Sequence, residues 1–183
     1  MNDPLIIIVA LVACVALVAL VFGAVLLFLS LRARGVRRAV VALIGRKEAI
    51  VAACRAMRNL VERLAGATDE ELHCFSSDPL DADRRAFGEV ASQMRIAEDE
   101  LKSTDVARSL ESVVISMEDA ARLIFEAAGS VDRAGESDAL SAASEIDFAA
   151  ITDAVARMES TLHEAAERSH VDDRSVYGGG LHI

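Results

Sequence analysis

Three features of this 183-residue sequence predict an all-α protein in which a single N-terminal transmembrane helix precedes an antiparallel helical bundle. Residues 4–31 form a run of 28 positions without one charged side chain. Beyond that run, apolar residues recur at steps of three and four, which places them on one face of successive helices. No stretch alternates apolar and polar residues at period two for long enough to make a half-buried strand. The length suits one compact domain plus an extra element.

The uncharged run comes first. As a helix rising about 1.5 Å per residue, it reaches about 42 Å against a hydrocarbon layer about 30 Å thick. The surplus is taken up by tilt or by carrying the ends into the headgroups. A cleaved signal peptide fits poorly, because only Asp3 precedes the run and the apolar part is too long. The expectation is therefore a short external N-terminus over 1–4 and a span over 5–31, with a cytoplasmic body over 32–170. Basic residues are retained on the cytoplasmic side, and Arg32, Arg34, Arg37 and Arg38 follow the run directly. The predicted location is the cell (inner) membrane, single-pass, with the lipid bilayer as the partner of the span. Within it, Ala19 and Gly23 make a small-xxx-small pair that would let two helices approach closely. The plainer explanation is that Ala and Gly are common in any such helix. No ionisable residue interrupts the run, so an ion path is not expected.

Charge divides the rest into two zones. Residues 32–63 hold nine basic and two acidic side chains, whereas residues 64–183 hold ten basic and 26 acidic ones. An acidic body with six Phe, one Tyr and no Trp is a poor nucleic-acid binder, since phosphates are repelled and bases find few rings to stack on.

Val36, Val40, Leu43, Lys47, Ile50, Cys54, Met57, Val61 and Leu64 form a nearly complete heptad seam, broken only by Lys47. The polar stretch from Ala65 to Asp78 should end that helix. Asp78-Pro79 is a start signal for the next, which carries Leu80, Phe87, Val90, Met94, Ala97 and Leu101. A further stripe runs through Val106, Leu110, Val113, Met117, Ala120, Ile124, Ala127 and Val131, with a loop expected around Gly129 and Gly135. Ser144 with Asp147 reads as a capping pair for the last stripe, Phe148, Ile151, Val155, Met158, Leu162 and Ala165. Residues 171–183, with three consecutive glycines, are expected to be a disordered tail. Three to four such helices bury their stripes most simply against one another, although a heptad pattern equally suits pairing between chains.

The string Asn59-Leu60-Val61-Glu62, with Gly66 four residues beyond Glu62, resembles the Asn-Leu-Val-Glu…Gly segment of the LemA family. Phe148, Ile151, Asp153, Val155, Ala156, Glu159, Leu162 and Arg168 are similar to the family's Phe-x-x-Leu-x-Asp-x-Leu-Ala-x-x-Glu-x-x-Ile helix and its later basic residue. The chain departs from the family at Leu43, where a Trp is usual, and at Arg58, where a Pro is. The resemblance implies a membrane-attached helical bundle with no established catalytic site, and supplies no reaction.

Signatures of chemistry are scarce. Phosphate-binding, dinucleotide, serine-hydrolase and zinc-protease motifs are all missing from the sequence. His73-Cys74 lies in an expected loop, and adjacent ligands alone do not make a zinc site. His163, Glu167 and His170 share one helical face, which suits a solvated polar surface better than a metal. No cofactor, metal or small-molecule substrate is therefore expected. The leading reading is a single-pass, LemA-like scaffold or adaptor without catalytic activity that binds a partner protein at the cytoplasmic face. The alternative is a self-assembling structural membrane protein, acting as a homo-oligomer through Ala19/Gly23 and the 36–64 seam. A third reading is an enzyme or metal-binding protein using His73/Cys74 or His163/His170.

Overall fold

The computed structural model describes residues 4–135, 138–169 and 171, and the side chains of all of these except 4–19 and 26–33. Six α-helices carry the described chain: α1 (Pro4–Ala65), α2 (Asp69–Ser77), α3 (Ala82–Lys102), α4 (Glu111–Arg133), α5 (Ala139–Ser144) and α6 (Phe148–Arg168). A 3-10 turn at Arg108–Leu110 leads into α4. No strand occurs among the described residues.

Side-chain ties fix the direction of each long helix. Arg46 on α1 donates to Thr104 Oγ1 at 2.8 Å and lies 3.7 Å from Glu100, while Arg63 near the end of α1 pairs with Asp83 at 3.1 Å. The later residue of α1 meets the earlier residue of α3, so α3 runs antiparallel to α1. Arg58 donates to Thr152 Oγ1 at 3.2 Å, and Glu159 lies opposite Arg55 and Glu48, so α6 also opposes α1. Ser116 and Thr161 hydroxyls meet at 2.8 Å, and Ala127 faces Ala150, so α4 opposes α6. Together with the α3–α4 hairpin these contacts make an up-down-up-down four-helix bundle of α1, α3, α4 and α6. The short helices α2 and α5 touch one another at the end where α1 stops.

One hydrophobic core runs through the bundle. The heptad seam of α1 lies in it. Val40, Leu43, Ile50, Cys54, Met57 and Leu64 are buried, with Val36, Lys47 and Val61 partly covered. Ile44, Ala53 and Leu60 widen that face, because a helix inside a bundle buries a broader stripe than a two-stranded coil. From α3, α4 and α6 the core receives Phe87, Met94, Leu101, Met117, Ile124, Met158 and Leu162. Phe75 of α2 meets Phe87 edge-on, with ring centroids 6.3 Å apart, and closes the capped end.

Several expectations need correction. The membrane-spanning helix over 5–31 is not supported: among the described residues, no helix is long and apolar enough to cross a membrane. The part of that run whose side chains are described is residues 20–25, about 9 Å of helix against a hydrocarbon layer of about 30 Å. The single-pass location in the cell membrane, with an outside N-terminus and a cytoplasmic body, falls with the span.

Residues 65–78 are not one loop, because Thr68 and Glu71 form a capping box that starts α2. The Thr68 N–H donates to the Glu71 carboxylate at 2.7 Å. Asp78-Pro79 does not start α3. Asp78 accepts from the Leu80 N–H at 2.8 Å in a tight turn, Leu80 is left exposed, and Asp81 caps α3 instead. Asp147 alone caps α6, accepting from the Ala150 N–H at 2.9 Å, while Ser144 lies inside α5. Gly129 does not break α4, which continues to Arg133. Val171 is buried and donates its N–H to the Ala166 carbonyl, so the bundle reaches one residue into the expected tail, and residues 172–183 lie outside the described chain.

Candidate interaction surface

Among the described residues, five of the eight large apolar side chains left exposed lie on α1, four of them ahead of the part of the helix that joins the bundle. Leu20, Val21, Phe22 and Val25 are 74, 55, 64 and 49% exposed, so α1 presents large apolar side chains at consecutive positions around its axis. Farther along, Arg34, Arg37 and Arg38 are exposed and gather around the partly exposed Val41. Beyond them Ala42, Gly45, Ala49, Ala52, Ala56 and Asn59 step by three and four along the outer face, and all six are exposed. This second seam was readable in the sequence as a small-residue heptad offset from the buried one. It escaped notice because Ala and Gly carry little hydrophobic signal.

The residues singled out from the sequence are scattered across the fold. Arg34, Arg37 and Arg38 are exposed on α1, whereas the side chains of Arg32 and Ala19 lie outside those described. Gly23 is exposed, with no atom near the position its Cβ would take. His73 and Cys74 are exposed on α2 rather than in a loop, at the capped end. His163 sits toward the opposite end, 3.3 Å from Glu167 on the exposed side of α6, and His170 is outside the described residues. Nothing brings these groups together, and among the described residues no three His, Cys, Asp or Glu side chains are placed to hold a metal. Cys54 is buried, and that burial pushes its thiol up from 9.0, partly offset by the charges of Arg58 and Arg55.

A cleft of about 630 Å³ opens where the end of α1 meets α2 and the start of α3. Its rim holds Glu70, Glu71, Asp81 and Asp83, with Cys74 at one side and Leu64 and Phe75 in the wall. Most of these carboxylates already have structural work. Glu71 accepts from the Thr68 N–H and hydroxyl, which lowers its pKa below 4.5. Asp81 accepts from the N–H groups of Asp83 and Arg84, and Asp83 pairs with Arg63. Acids at helix N-termini offset the positive ends of α2 and α3.

Basic residues of α1 do more than sequence reasoning credited. Arg46, Arg58 and Arg63 each reach another helix, and the Arg58 guanidinium also lies 5.8 Å from the centre of the Phe148 ring. Arg58 thereby ties α1 to the first turns of α6. No family model, curated protein or solved structure matches the chain.

Proposed function

We propose that this protein is a non-catalytic helical scaffold that binds a partner protein through the exposed surface of α1. The observation that carries this reading is the exposure of Leu20, Val21, Phe22 and Val25, at a level of α1 where residues 20–25 are all exposed and the bundle core has not yet begun. Contiguous exposed apolar side chains mark interaction surfaces more often than they mark bare monomer surface. The LemA-like strings in α1 and α6 support the same reading, since that family is known as a helical body without an assigned reaction.

A second reading is self-association. The 36–64 seam is filled by α3, α4 and α6 of the same chain, which favours the outer seam of Ala42, Gly45, Ala49, Ala52 and Ala56 for contact with another copy. Small residues let two helix backbones approach closely.

One experiment serves both readings. The tagged full chain is purified at native expression beside the double variant Leu20→Asn/Phe22→Asn. A partner recovered in fixed stoichiometry with the native chain, and lost from a variant that unfolds at the same temperature, supports the first reading. A stable homo-oligomer supports the second. A monomer recovered alone contradicts both.

A further inference from the structure

We draw no further inference here: the strongest candidate, the cleft between the end of α1, α2 and the start of α3, is an acidic cluster whose carboxylates Glu71, Asp81 and Asp83 already cap helices or pair with Arg63, and nothing in the structure points to a ligand for it.

Discussion

Arg84 is only 4% exposed, although it is charged and sits in the first turn of α3, where the helix dipole disfavours a cation. Its guanidinium resolves the conflict by donating to two carbonyls at the ends of other helices. One bond goes to Ser76 O of α2 at 3.2 Å and the other to Ala134 O beyond α4. Both acceptors lie at the negative ends of their helices, so the buried cation joins three elements at the capped end. Nε finds no partner among the described residues. Arg84→Ala should lower stability by about 2–3 kcal/mol in urea unfolding, as charged hydrogen bonds are lost and two carbonyls are left dry. Arg84→Met, which keeps the volume of the stem, should cost less. Equal stability for the native chain and both variants would mean that the bonds contribute nothing.

Glu71 gives a pH dependence of definite sign. Hydrogen bonds from the Thr68 backbone and hydroxyl hold its pKa below 4.5 in the folded chain. The unfolded chain therefore binds a proton more readily, and the stabilisation is present above 4.5 and fades as pH falls through the lower folded value. Glu71→Gln should flatten this acid-side loss in thermal melts recorded across that range. An unchanged acid limb would show that Glu71 is not its source.

At the scale of elements, side-chain caps mark where α2, α3 and α6 begin, whereas α4 and α5 start without a side-chain cap bond. Among the described residues, Asp147 supplies the one side-chain cap hydrogen bond at the start of α6. Asp147→Ala should cost about 1 kcal/mol, whereas Ser144→Ala should stay within about 0.5 kcal/mol. Chemical denaturation of the two variants distinguishes them, and a larger loss at Ser144 would contradict the assignment. The apolar stripes of α3, α4 and α6 were legible because 3.6-residue periodicity survives packing: Phe87, Met94, Met117, Ile124, Met158 and Leu162 are all in the core. The short helices were not legible. The nine residues of α2 and six of α5 are too few to show a period, and only the Thr68-x-x-Glu71 pattern announced the first of them. Gly129 misled for a related reason. A lone glycine weakens a helix by only about 1 kcal/mol, which the packing of Ala128 and Val131 outweighs. Gly88 has a positive use instead, since a Cβ there would lie 2.7 Å from Asp132 Oδ1, and the bare backbone leaves room for that α4 side chain where it sits.

For the whole molecule, the sequence left one matter open: whether the heptad seam of α1 packs inside its own chain or against another copy. An a/d pattern suits both, because knobs-into-holes packing is the same within and between chains. What decides it is polar and distant in sequence. Arg46 finds Thr104 and Glu100, Arg63 finds Asp83, and Arg58 finds Thr152, pairings that no local pattern announces. The candidate surface was less legible than the fold. Its apolar part lies in the run that dominates the sequence, whereas its small-residue part is nearly silent in hydropathy. The central claim is therefore the antiparallel intramolecular pairing of α1 with α3. Cross-linking with a short bismaleimide, which spans the reach of an Arg–carboxylate pair, tests it most directly, in a chain whose own cysteines are replaced by serine. Two pairs are compared, Arg46→Cys with Glu100→Cys, and Arg63→Cys with Asp83→Cys. An up-down-up-down bundle predicts rapid cross-links within one chain at both pairs and none when Arg46→Cys is combined with Asp83→Cys. Cross-links only between chains, or a fast bond in that mismatched combination, would contradict it.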